Sequence, residues 1–305
     1  MSKAKLAIAL STLSVALVAW AVPIKGIAHQ RVQQPGAMRV SEPVAPIRLR
    51  DESGGLLASG WINGAGPFVF AIDTGAGVSL ISRSVVERAR LQATRSRRPL
   101  VGGLSTSPIS SDQETRIAGL ALGRRDNNVP GSFSAAIVGN LPGSIDGVLD
   151  PTEVFKPFGY SFDLPNHELH VFDTATYRLR LSDVPPEGAV VRWVGNDRPF
   201  VRLGDGRLAL IDTGSGFGLA LNEVSGANHR RSGNTTHDLG GGTVQARKVA
   251  PHTVNIGTLV LNNVPTDVLT GVAPGTPIII GRRALFPFRI TFDPASRLIA
   301  FEPTE

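Results

Sequence analysis

Phe68-Val69-Phe70-Ala71-Ile72-Asp73-Thr74-Gly75-Ala76-Gly77 is an apolar run that ends on a carboxylate. The 305-residue chain repeats the pattern as Arg207-Leu208-Ala209-Leu210-Ile211-Asp212-Thr213-Gly214-Ser215-Gly216. Apolar runs of this length, rich in β-branched and aromatic residues, read as buried strands. A carboxylate at the end of a buried strand costs roughly several kcal/mol unless something compensates it. One such Asp is accounted for by a turn in which it caps backbone amides. Two, at the same point of a repeated pattern, point to carboxylates that meet in space. A pair held too close for both to ionise shares one proton, which is the arrangement acid–base chemistry needs.

Working outward, Pro46 to Arg50 and Leu56 to Ile62 read as strands, and Asn63-Gly64 as the hairpin turn that returns the chain into Phe68–Ile72. Val78 to Arg90 reads as a strand end and a short helix. A Gly-rich stretch with Gly102 and Gly103 reads as a mobile hairpin, followed by strands at Ile117–Leu122 and Phe133–Val138 and a short helix from Pro151 to Phe158. Thr176 to Gly188, polar with Pro185-Pro186, reads as a link, after which the pattern restarts. The second copy has Asp205-Gly206 as its hairpin turn and a Gly-rich stretch at Gly240, Gly241 and Gly242. Strands at Thr253–Ile256 and Val264–Leu269 follow, then Ile278-Ile279-Ile280-Gly281-Arg282-Arg283. Phe158 with Phe162-Asp163 matches Phe288 with Phe292-Asp293 in mutual spacing. These correspondences imply an internal repeat and a mainly β fold.

The residues Asp73-Thr74-Gly75-Ala76, Asp212-Thr213-Gly214-Ser215 and Ile279-Ile280-Gly281-Arg282 resemble the motifs of retropepsin-like aspartic proteases, joined in tandem as in the two-lobed pepsin family. The likeness runs over about residues 46 to 303. It implies two homologous β-barrel lobes with short helices, at 46–175 and 189–305, linked by 176–188. It further implies an aspartic endopeptidase whose catalytic pair is Asp73 and Asp212, acting through an activated water, with a peptide or protein substrate and neither metal nor cofactor. It assigns Thr74 and Thr213 to cross-lobe hydrogen bonds and Gly75 and Gly214 to close backbone approach. Ala76 and Ser215 come next in line, with Ser215 placed to hydrogen-bond its neighbouring Asp. The Gly-rich stretches, Gly102-Gly103 and Gly240 to Gly242, take the place of flaps over the cleft.

The chain departs from that pattern twice. Neither Gly-rich stretch holds a Tyr, the only two being Tyr160 and Tyr177. In the first lobe Asp150-Pro151 falls near the place of Gly281-Arg282. The second departure motivates a rival reading, a catalytically silent peptide-binding protein that keeps the fold.

Composition narrows the rest. The chain has no Cys, which excludes disulfides, thiol nucleophiles and thiolate zinc sites. A net charge of +6 comes from scattered Arg pairs without interleaved aromatics, so nucleic-acid binding is not expected. His167-Glu168-Leu169-His170 sits in a strand pattern, where its two His face opposite sides, and is not a zinc motif. Gly214 to Gly218 lacks the βαβ context of a phosphate loop. Lys3 and Lys5 before the apolar Leu6–Val22, with Ala19-Trp20-Ala21 and Gly26-Ile27-Ala28 as cleavage sites, read as a secretory signal or anchor over 1–28, followed by a linker over 29–45. The expectation is an exported protein, periplasmic or secreted, touching membrane only through that segment if uncleaved, and a two-lobed monomer in preference to an obligate dimer.

Overall fold

The computed structural model describes residues 42–52, 54–105, 109–139, 141, 144–222, 234–237 and 243–304. The signal or anchor segment 1–28, most of the linker, and Gly240, Gly241 and Gly242 lie outside the described residues. Among the described residues no helix is long and apolar enough to cross a membrane.

The fold is mainly β. In the first half the strands are β1 (Val44–Arg48), β2 (Arg50–Glu52), β3 (Gly55–Ile62), β4 (Ala65–Ile72), β5 (Ser79–Ser82), β6 (Thr94–Gly102), β7 (Ile109–Ile117), β8 (Leu120–Leu122), β9 (Asn128–Val129), β10 (Phe133–Val138), β11 (Gly147–Leu149), β12 (Gly159–Asp163) and β13 (Glu168–Phe172). In the second half they are β14 (Ala189–Arg192), β15 (Phe200–Arg202), β16 (Leu208–Asp212), β17 (Leu219–Asn222), β18 (Asn234–His237), β19 (Thr243–Ile256), β20 (Leu259–Thr270), β21 (Ile278–Gly281), β22 (Phe288–Asp293) and β23 (Leu298–Pro303). Three short helices interrupt them, α1 (Arg83–Arg88), α2 (Pro151–Val154) and α3 (Arg282–Leu285).

Two sheets carry the motifs. The first runs β6-β7-β10-β5-β11-β4-β3-β8-β9, and the second β18-β19-β20-β17-β21-β16-β15. Strand for strand the second order matches the first seven of the first, with the same parallel and antiparallel pairings. In both, the strand bearing the Asp is covered by a later strand running parallel to it, β11 beside β4 and β21 beside β16. Such strands are buried on both faces, which is why they read as continuous apolar runs. Phe68, Phe70 and Ile72 point into the main core, while Val69 and Ala71 pack on the other side. Asn63 and Gly64 take φ of 50° and 77°, the positive values that a two-residue hairpin needs, and return β3 into β4.

The third sheet is shared. Its order is β1-β13-β12-β22-β23-β14, three strands from each half, with β12 and β22 paired at the middle from Tyr160↔Phe292 to Asp163↔Arg289. Tyr160 and Phe292 stack there with ring centroids 4.9 Å apart, and Phe162 and Trp193 meet Phe292 edge-on. Aromatic contacts of this kind add about 0.5–1.5 kcal/mol each beyond their buried area.

Three local expectations are corrected. Ile117–Leu122 is not one strand, because β7 ends at Ile117 and β8 starts at Leu120. The helix expected over Pro151–Phe158 stops at Val154, since Pro157 lacks the amide a further turn would use. Thr253–Ile256 is only the end of the long β19. Its pairing with β20 shifts register between Val249 and His252, where Pro251 cannot donate, so the proline is absorbed as a bulge instead of ending the strand.

Candidate active site

The two Asp-Thr-Gly loops follow β4 and β16 and meet through a reciprocal set of hydrogen bonds. The Thr74 amide donates to the Thr213 hydroxyl (3.1 Å), and the Thr213 amide donates to the Thr74 hydroxyl (3.0 Å). Each hydroxyl then donates onward across the contact, Thr74 to the Ile211 carbonyl (2.7 Å) and Thr213 to the Ile72 carbonyl (3.2 Å). Both threonines are fully buried, and each hydroxyl both accepts and donates. Thr74→Val removes both roles and leaves the Thr213 amide and the Ile211 carbonyl without partners. It is expected to lower unfolding free energy by about 2–3 kcal/mol, with Thr74→Ser near wild type, measured by urea titration.

This lock sets the carboxylates against each other. Asp73 and Asp212 are both buried and share a hydrogen bond between their side chains. The Gly75 amide donates to Asp73 Oδ1 (2.7 Å), and the Ser215 amide to Asp212 Oδ1 (2.9 Å). A Cβ on Gly75 would stand 2.6 Å from Asp212 Cγ, and one on Gly214 only 2.3 Å from Asp73 Cγ. Each carboxyl therefore lies on the other loop's glycine, and space makes both positions glycine. Ser215 reaches Asp212 through its amide; its hydroxyl instead accepts from the Phe217 amide (3.3 Å). Ala76 lines the cleft at the matching place in the first loop.

Burial raises both carboxyl groups above their ordinary range. For Asp73 desolvation leads, opposed by hydrogen bonds from Gly75, Asp212 and Gly214 and by the charge of Arg282. Asp212 is pushed well above, first by burial and then by the charge of Asp73. The pair therefore holds one proton between its two members, and the Arg282 guanidinium favours the ionised form of Asp73.

Two residues around the loops, both singled out in the sequence, make contacts that the sequence did not show. Arg282 is buried behind the second loop and donates to the carbonyls of Thr213 (3.1 Å) and Gly214 (2.8 Å). It also crosses to the first half, donating to the Glu52 carbonyl (3.2 Å) and pairing with Asp51 (3.1 Å). The Gly-Arg motif marked Arg282, but nothing in sequence marked residues 51–52 as its partners. The other is Asp150. The pairings Leu149↔Ile72 and Ile280↔Ile211 are equivalent, so the next step sets Asp150 beside Asp73 where Gly281 stands beside Asp212. The departure at Asp150-Pro151 thus leaves the first loop without an arginine clamp and adds a carboxyl group.

The dyad opens into a cleft of about 850 Å³ lined by both loops and by Arg198, Phe217, Asp267 and Arg283, among others. Gly102 ends β6 and pairs with Ile109, so the first Gly-rich stretch is the tip of the β6–β7 hairpin. Gly103, at φ 114°, adopts a backbone open to glycine, and with Leu104 it lines the cleft. The tip reaches the opposite wall, where the Ala273 amide donates to the Leu104 carbonyl (2.8 Å) and Ser105 bridges to Val272. Among the described residues no group of three or more His, Asp or Glu is placed to hold a metal ion.

No curated protein matches the chain. Residues 58–149, from within β3 through Asp73 and its loop to the end of β11, match the family model described as aspartyl protease. Over that stretch the chain is similar to aspartyl proteases, in keeping with the retropepsin-like resemblance of its two Asp-Thr-Gly motifs.

Proposed function

We propose that the protein is an exported aspartic endopeptidase in which two homologous lobes of one chain, 46–175 and 189–305, each supply one catalytic Asp. The observation that carries this reading is the reciprocal Thr74–Thr213 lock, which fixes Asp73 and Asp212 side by side at the floor of a peptide-sized cleft. The matching strand orders of the two halves support the lobes' common origin. The basic, apolar N-terminal segment of the sequence supports export.

In the reaction, water lies between the carboxyl groups and adds through its oxygen to the scissile carbonyl carbon. Asp73, the ionised partner, takes the water's proton, while Asp212 gives its proton to the carbonyl oxygen. The neutral tetrahedral diol collapses as the C–N bond breaks. Asp73 then protonates the departing nitrogen and a diol hydroxyl returns its proton to Asp212, so the pair ends with one proton as it began. The hairpin bearing Gly102 and Gly103 covers the cleft and excludes bulk water.

The test is digestion of a peptide library by the mature protein from pH 3 to 8, with and without a statine inhibitor, which mimics the tetrahedral diol. Statine-sensitive cleavage is the expected result. Tight peptide binding with no cleavage at any pH would replace this reading with the silent peptide-binding module.

A further inference from the structure

The proposed reaction gives Asp150 no work, yet it comes one step after the Leu149↔Ile72 pairing, at the level of Asp73, and is only 2% exposed. Its counterpart, Gly281, has no room for a side chain, since a Cβ there would stand 2.6 Å from the Phe217 carbonyl oxygen and 2.7 Å from that of Ser215. The first half instead holds a whole carboxyl group at this point. Asp150 Oδ1 accepts from the Thr152 amide (2.9 Å), and the Asp150 amide donates to the Ser79 hydroxyl (3.2 Å). The residue before it accepts the Asp73 amide on its carbonyl (3.0 Å), which ties the Asp150 backbone to the dyad loop.

We infer that Asp150 is a positioning residue for the dyad, a third carboxyl group beside Asp73 that holds the pair's second proton and so extends hydrolysis upward in pH. The inference rests on the peptidase reading of Asp73 and Asp212. Its physical basis is like-charge coupling in a poorly solvated site, where ionising the dyad's second carboxyl beside an anionic Asp150 is disfavoured. Burial pushes the Asp150 carboxyl up to about 7, helped by the charges of Glu153 and Asp73 and opposed by the Thr152 hydrogen bonds. Above that pH it is an anion, the state that disfavours loss of the dyad's remaining proton.

The groups facing Asp150 come from four elements. Glu153 of α2 accepts the Ser79 amide (3.2 Å) and adds negative charge. Tyr160 of β12 exchanges a hydrogen bond with the Thr152 hydroxyl (2.8 Å) and stays protonated, its pKa raised well above the usual value by burial. Ser79 of β5 is neutral. Asp73 lies at the end of β4, where Arg282 of the second half opposes the effect by stabilising the Asp73 charge. In acid Asp150 is neutral, so the first ionisation of the dyad is little affected.

Asp150→Asn keeps the capping oxygen and removes the charge, and Asp150→Ser keeps a cap with less bulk. Aspartate carboxyl ¹³C shifts should be followed against pH in wild type and both variants, beside kcat/KM profiles for a cleaved peptide. In the variants the upper ionisation of the dyad and the alkaline limb are expected to move down by about one pH unit, with the acid limb in place. An upper ionisation within a few tenths of wild type in both variants overturns the inference. Loss of the near-UV circular dichroism of the folded protein in both overturns it too, by making Asp150 a structural cap alone. If the ¹³C shift appears while wild type cleaves no peptide, the coupling stands and the peptidase reading fails.

Discussion

Asp73→Asn and Asp212→Asn are each expected to lower kcat/KM for a cleaved peptide by about a thousandfold or more while leaving the fold intact. Asn matches Asp in shape and can still accept the Gly75 or Ser215 amide, so the loops keep their hydrogen bonds. What each variant lacks is one end of the proton transfer: Asn at 73 cannot take the water's proton, and Asn at 212 cannot give one to the carbonyl oxygen. Because the two act as a unit, the double variant should be little slower than either single one. Each substitution also removes a carboxyl group that burial holds above its ordinary range, so thermal midpoints should stay level or rise. Wild-type turnover by both single variants at acidic pH would sink the mechanism.

Arg282→Met should cost about 3–5 kcal/mol of unfolding free energy. The guanidinium is nearly buried and satisfies three carbonyls at once, those of Thr213, Gly214 and Glu52. Methionine fills the stem's volume but donates nothing, and each carbonyl left unpaired costs about 1–3 kcal/mol. Asp51 is a lesser part of the loss, since its side chain is 31% exposed and water takes over once the arginine is gone. Asp51→Asn should therefore cost under about 1 kcal/mol. A lysine at 282 cannot fork between two carbonyls and should recover little. Urea midpoints for the three variants decide the ranking. Equal effects from Arg282→Met and Asp51→Asn would show that the ion pair, and not the carbonyl clamp, carries the energy.

The parts of this site legible in the sequence are those whose chemistry is expensive. Asp73 and Asp212 stood out because apolar strands should not end on carboxylates, and Gly75 and Gly214 because they followed them. The hairpins at Asn63-Gly64 and Asp205-Gly206 were readable from turn chemistry. What stayed hidden depends on pairing between distant segments. The shared sheet through β12 and β22 follows from no local pattern, because each strand alternates much as it would in a separate lobe. Arg282's reach to residues 51–52 was equally invisible. Asp150 was visible as a departure, but its position beside Asp73 emerged only from the register of β11 on β4. The bulge at Pro251 defeated a rule that holds for central, unbulged strands.

The shared sheet also imposes an order on biogenesis. As the chain emerges, β1, β13 and β12 can assemble once residue 172 is out, but the partner of β12 is absent until residue 288 has been made. At about 5–20 residues per second that interval lasts roughly ten seconds. Throughout it, Gly159–Asp163 presents an open strand edge to any second copy of the same nascent chain, the situation in which edges join the wrong molecule.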